Sequence, residues 1–209
     1  MKPVRSGEPP HAKAVRVGGF SLIEMLITLA IILVLFTMMY GFGSRSHQMT
    51  QKKKCRANLQ KMYVSLQIYA NENSGTFPVV TNARTSEVAL DVLVPKYSSD
   101  TAIFVCPGSK DSPLPAGESL TKGRISYAYY MGRRVSDTGT ILLSDKQVNT
   151  QAKQAGEMVF SENGKSPGNN HHKYGGTILF IDGEMKSSPP LATIPLPLAT
   201  NVVLLNPKP

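Results

Sequence analysis

The chain is poor in charge. Asp, Glu, Lys and Arg together make up 18% of its 209 residues, against 41% apolar. That balance argues against wholesale disorder, and the composition is neither collagen-like nor that of a long coiled coil. Acidic residues are the scarcer sign, 14 against 23 basic, which leaves a net charge of +9. Such an excess ordinarily points to nucleic acid or a membrane surface. Its distribution points elsewhere: residues 1–19 carry a net +3, residues 20–61 a net +5, and residues 62–209 only +1. A nucleic-acid groove needs the excess on the folded body, so no nucleic-acid partner is expected. Catalytic signatures are missing as well. There is no G-x-S-x-G, no H-E-x-x-H and no Cys–His pair at a family spacing, so the reading is of a protein that is not an enzyme. No internal repeat is apparent. Proline does not occur between Phe20 and Gly75, and cysteine occurs only at Cys55 and Cys106.

What the basic blocks flank is apolar. Phe20 to Gly43 reads FSLIEMLITLAIILVLFTMMYGFG, with Glu24 its only charge. Met25 to Ser44 gives about 20 uncharged residues, enough to span a ~30 Å hydrocarbon core as a helix. A secretory signal peptide has a shorter apolar region that ends in a small-residue cleavage site. This run has no such site at its end and continues into QKKKCRANLQ. A retained transmembrane helix is therefore expected rather than a signal peptide or a buried core helix. The positive-inside count does not orient it, because the leader has four Lys/Arg and residues 45–61 have six. Glu24 is costly in such a run, on the order of 2.5–3.5 kcal/mol at mid-bilayer. Either it lies near enough to the interface to stay hydrated, or it pairs with a positive group.

Gly19-Phe20-Ser21-Leu22-Ile23-Glu24, behind a short basic leader and at the head of an apolar run, resembles the cleavage site of type IV prepilins and type II secretion pseudopilins. The resemblance implies that a prepilin peptidase cuts between Gly19 and Phe20 and methylates the new amino terminus on Phe20. It makes Glu24 the acid five residues into the mature chain. It also implies a single-pass protein of the inner (cytoplasmic) membrane, N-terminus in the cytoplasm and body outside. Cleavage leaves a charged α-amino group on Phe20. Glu24 of one subunit can pair with that ammonium on a neighbour, which would favour assembly in one register.

Beyond the bilayer the pattern stays helical. Cys55, Leu59, Met62, Tyr63, Leu66, Tyr69 and Ala70 form an amphipathic stripe. One helix of about 50 residues is expected, roughly 75 Å long, with Gly41 and Gly43 as weak points and a stop at Asn73-Ser74-Gly75. The basic block at residues 52–56 reads as a solvated face or a headgroup contact. The stretch KKKCRANLQKMYVSLQIYANENSGTFP is also similar to one common among prepilin-type proteins. With the body outside the cytoplasm, a Cys55–Cys106 disulfide is permitted, and it would close a loop worth about 4 kcal/mol in the chain-entropy model. Two buried thiols are the alternative.

In the remainder, Thr85 or Ser86 is expected to cap a helix through Leu93, ended by Pro95. Strands are expected at Ile103–Val105, Ile125–Met131, Thr140–Leu143, Glu157–Ser161, Thr177–Ile181 and Glu184–Ser187, with Asp182-Gly183 as a two-residue hairpin turn. The tail, broken by prolines, reads as extended or loose. His172-x9-Asp182-Gly183 resembles a C-terminal motif of many prepilin-type proteins. It departs from the commonest form at Glu184, where His often follows the Gly. Its plain reading is structural, a turn and the loop before it. The functional alternative is a cation or polar-ligand site using His171, His172 and Asp182, with Asp145 or Asp137. Calcium is the family precedent, but histidine suits it poorly, so no cofactor is expected.

These readings give an α+β, pilin-like fold: a long N-terminal helix, transmembrane half plus amphipathic half, packed on a small antiparallel sheet. The expected divisions are a leader at 1–19, a transmembrane helix at 20–44, a stem at 45–75, an extracytoplasmic head at 76–188 and a Pro-rich tail at 189–209. The expected role is a structural subunit of a pilus or secretion pseudopilus, with the prepilin peptidase, other pilin or pseudopilin subunits and the inner membrane as partners. The alternative is an anchored ligand-binding surface protein that uses the prepilin signal without forming long filaments.

Overall fold

The structure is a computed structural model that describes residues 19–163, 165, 168 and 170–209, with backbone only for 40–45. The leader reading therefore lies outside the described residues except at Gly19. The chain divides into two compact units, Met1–Gly43 and Ser44–Pro209.

One helix, α1, runs from Leu22 to Glu72, 51 residues, and stays helical through Gly41 and Gly43. In the first unit, Leu22–Met39 is an 18-residue apolar span with no part buried. Apolar side chains exposed on every face are what a helix surrounded by hydrocarbon presents.

In the second unit the rest of α1 lays its stripe into a core. Cys55, Leu59, Met62, Leu66 and Ala70 are fully buried, and Tyr63 and Tyr69 pack partly against them. The helix ends at Asn73–Gly75, where Ser74 and Gly75 take left-handed φ of 53° and 73° and the Gly75 amide closes back onto the Ala70 carbonyl.

The head is a five-stranded antiparallel sheet: β1 Tyr127–Met131, β2 Ile141–Asp145, β3 Gly176–Phe180, β4 Met185–Ser188 and β5 Val203–Leu205, in the order β4-β3-β2-β1-β5. Alternate residues serve two cores, as the two-residue period of a strand requires. Tyr127, Tyr129, Leu179, Ile181 and Leu205 face the helix. Ala128, Tyr130, Ile178, Phe180 and Leu204 face a second core with Val159, Phe160, Ala192, Leu196 and Val202. On β2 a register shift between Ile141 and Leu143 breaks the alternation, and Leu142 and Leu143 both join the helix-side core. Burial on both faces explains why β1–β3 read as nearly unbroken apolar runs.

Several expectations are corrected. Ile103–Val105 is no strand: Thr101–Phe104 forms a 3-10 turn, nucleated by the Asp100 carboxylate, which accepts the Ala102 amide at 3.1 Å. Glu157–Ser161 forms only a bridge, Met158 to Leu191, with the Val159 and Phe160 amides both donating to the Pro190 carbonyl. Proline has no N–H with which to return a ladder bond. The helix after Thr85, α2, is short, Ser86–Leu90, and tightens into a 3-10 turn at Asp91–Leu93 before Pro95; Thr85 is its N-cap position but makes no side-chain cap bond. The tail is not loose. It supplies β5 on the edge of β1 and much of the second core.

The hairpin β3–β4 turns in three residues, not two. Gly183 donates to the Phe180 carbonyl (3.0 Å), Phe180 to the Glu184 carbonyl (2.9 Å), and Gly183 holds φ at +85°. This is a tight turn closed by a left-handed glycine bulge. The Asp182 carboxylate accepts the Glu184 amide at 3.0 Å, so its role there is in the turn.

Candidate functional site

Two places carry the residues that sequence reasoning singled out. The first is the start of α1. Phe20 is 84% exposed, and a Cβ at Gly19 would meet nothing within 4 Å among the described residues. No packing contact among the described residues requires a glycine there. Ser21 stands just ahead of the helix, and Glu24, in its first turn, reaches back so that Oε2 accepts the Ser21 amide at 3.0 Å. That is half of a capping box, S-x-x-E, and a carboxylate there also complements the positive end of the helix dipole. Glu24 thus has a partner in its own chain, which sequence reasoning missed although the S-x-x-E spacing carries it.

The second place lies where the stem meets the head. Cys55, on the buried stripe, and Cys106, just after the 3-10 turn, are joined as a disulfide with Cα atoms 5.0 Å apart. Three side chains secure the stem around it. Asn58 Nδ2 donates to the Val105 carbonyl at 2.9 Å, Tyr63 Oη to the Ile181 carbonyl at 2.7 Å, and Lys52 Nζ to the Tyr174 carbonyl at 2.7 Å. Lys52 is half-buried, and burial lowers its pKa, so the basic block is not wholly the solvated face expected of it.

His171 and Asp145 are buried beside the disulfide. His171 Nε2 lies 3.3 Å from Cys106 Sγ and 3.9 Å from Asp145 Oδ2. Asp145 ends β2, where its Oδ1 accepts from Asn170 Nδ2 (2.9 Å) and its Oδ2 from the Thr177 amide (2.6 Å). Burial pushes the His171 pKa down, opposed by Asp145, so the ring is neutral near neutral pH.

The cation set His171, His172 and Asp182 is not brought together. The two histidines lie just before β3 and Asp182 in the turn after it, so the length of a five-residue strand, roughly 16 Å at 3.3 Å per residue, separates them. His172 is exposed at a left-handed φ of 50°, while its neighbour His171 turns inward. Asp137 is engaged elsewhere, accepting the Arg134 amide at 2.9 Å. What the fold does gather is Cys55, Cys106, Asp145 and His171. One signal of this was present in the sequence: a carboxylate, Asp145, ends the fully buried strand ILLSD, where it is the only charge.

Residues 15–40 match the family described as the prokaryotic N-terminal methylation motif. This is the prepilin signature; it supports a type IV pilin-like exported protein and implies membrane association and processing by a prepilin peptidase. The match ends before His172, Asp182 and Gly183 and says nothing of them. No curated protein and no solved structure matches the chain.

Proposed function

We propose that this protein is a non-catalytic structural subunit of a pilus or secretion pseudopilus. The prepilin peptidase cuts between Gly19 and Phe20 and methylates Phe20. The apolar half of α1 stays in the inner membrane, leader side in the cytoplasm, and the disulfide-stapled head stands outside. During assembly Glu24 exchanges its bond to the Ser21 amide for the Phe20 ammonium of a neighbouring subunit, which offsets the cost of holding both charges in hydrocarbon. The observation that carries this reading is the methylation motif at residues 15–40, which takes in Leu22–Met39, an apolar span of α1 with no part buried.

The test is N-terminal sequencing of the membrane-bound product, followed by shearing and sedimentation. The expected product begins at N-methyl-Phe20 and pellets as a polymer. A product that begins at Met1 with the peptidase present overturns the processing step. A processed product that remains dispersed after shear favours the anchored surface protein over the filament subunit.

A further inference from the structure

The disulfide sits in a setting that a disulfide does not need. Asp145 and His171 are each only 1% exposed, and their ligand atoms and the two sulfurs all lie within 4.8 Å of one another. Sulfur is a weak hydrogen-bond acceptor, and it is the only hydrogen-bond partner the His171 ring has among the described residues; Nδ1 has none. A buried polar ring left in that state is costly. A proton relay would place its two partners on opposite ring nitrogens. Here Cys106 Sγ and Asp145 Oδ2 both face Nε2. The arrangement converges on a point between the side chains.

Two sulfurs, one imidazole nitrogen and one carboxylate oxygen form a recognised donor set for tetrahedral zinc. Zinc–ligand bonds of about 2.0–2.3 Å put tetrahedral ligands roughly 3.3–3.8 Å apart. The Cys106–His171 and His171–Asp145 separations of 3.3 and 3.9 Å are close to that range. Outer partners that would orient the ligands are in place: Asn170 and the Thr177 amide on Asp145, and the Gly108 amide on Cys106 Sγ at 3.4 Å. Gly108 also has to be small, since a Cβ there would lie 2.7 Å from His171 Nδ1. With two thiolates, one carboxylate and Zn²⁺ the site would carry a net −1, and the cationic Lys52, whose charge is coupled to Asp145, opposes it.

We propose that when the Cys55–Cys106 bond is reduced, Cys55, Cys106, His171 and Asp145 hold one zinc ion. Cysteines are thiols until they meet an oxidising compartment. Zinc binding to the two thiols releases their two protons. Formation of the disulfide by a disulfide-bearing oxidant passes two electrons to that oxidant, which takes up two protons from water to become a dithiol, and expels the ion as Zn²⁺. The same four residues would therefore fasten the stem to the head in either redox state, by metal before oxidation and covalently after it. The proposal does not depend on filament assembly.

The test uses the full chain in detergent, oxidised or reduced with a water-soluble phosphine, which is itself oxidised to its oxide as the disulfide opens. Each form is incubated with zinc chloride, desalted and assayed for metal, and cobalt(II) is substituted to read ligand type from its spectrum. The expected result is one zinc per reduced chain and none per oxidised chain. Cobalt should give a tetrahedral spectrum with thiolate charge-transfer bands. His171→Ala and Asp145→Asn, first checked as folded in the oxidised state, should each weaken zinc binding at least tenfold. No zinc on the reduced chain, equal zinc on both forms, or affinity unchanged in both variants would each overturn the proposal. If neither variant folds, the wild-type cobalt spectrum decides, and an octahedral spectrum without thiolate bands overturns it.

Discussion

Gly19 is a glycine that the fold does not use. Among the described residues no contact crowds it, so a Cβ there would meet nothing within 4 Å. In the proposed function a glycine there serves the peptidase that cuts after it. We predict that Gly19→Leu leaves the head folded but abolishes processing, read as an unshifted band on a gel; a normal shift would remove glycine from the recognition. Glu24 has one bond in its own chain and, in the proposed function, a second use between chains. Within one chain it satisfies the Ser21 amide, and between chains it is the only carboxylate in the apolar half. Glu24→Ala should be processed normally and assemble poorly, seen as sheared filament reduced severalfold at equal membrane content. Undiminished filament would show that the local cap is its whole role.

Among the elements, the β3–β4 hairpin and the C-terminal end of α1 are the most sharply specified. Gly183 holds φ at +85°, and a Cβ there would lie 3.2 Å from the Tyr63 ring whose hydroxyl grips the same turn. Gly183→Ala should therefore lower head stability by about 1–2 kcal/mol, measured as a denaturant midpoint shift at constant slope. At the end of α1, Lys96 Nζ and Tyr97 Oη (2.7 Å) both donate to Glu72 Oε2 and hold its pKa below the ordinary carboxylate value. A depressed carboxylate pKa contributes stability above its unfolded value and loses it as the pH falls through the folded one. In Lys96→Ala the Glu72 carboxyl carbon, followed by NMR, should titrate at higher pH than in wild type. The stem stripe was legible because seven residues kept the helical period over four turns. Three strands were legible as apolar runs set between turn residues, and β4, MKSS, as the limb that pairs back across Asp182-Gly183. The Ile103–Val105 run was not, since three buried apolar residues suit a 3-10 turn as well as a strand, and only the Asp100 cap decides. Nor does a sequence say which of two adjacent histidines turns inward, because that follows from the left-handed backbone at His172.

For the molecule as a whole, the tail matters more than its prolines suggested. Ala192, Leu196, Val202, Leu204 and Leu205 are buried, and they cover sheet residues that would otherwise face water. Burying a large apolar side chain contributes about 1.5–3 kcal/mol, so losing most of five approaches the ~5–15 kcal/mol net stability of a domain. Ending the chain at Ser188 should leave a head that limited proteolysis degrades at protease levels the intact chain survives. A resistant truncated head would show that β1–β4 and the stem suffice. Pattern reading missed this because proline removes the ladder donors by which strands are recognised, while the side chains between prolines still pack.

The place of the disulfide along α1 has a mechanical consequence. Among the described residues, Cys55 is the first fully buried position of the chain, ahead of Leu59, Met62, Leu66 and Ala70. Tension drawn along the helix from its apolar half arrives at this bond before it reaches the packed stripe. Noncovalent packing loaded from one end fails as a zipper does, one turn at a time. A covalent stop at the first tooth prevents that, so pulling on the apolar half of α1 would not peel the stem from the head turn by turn.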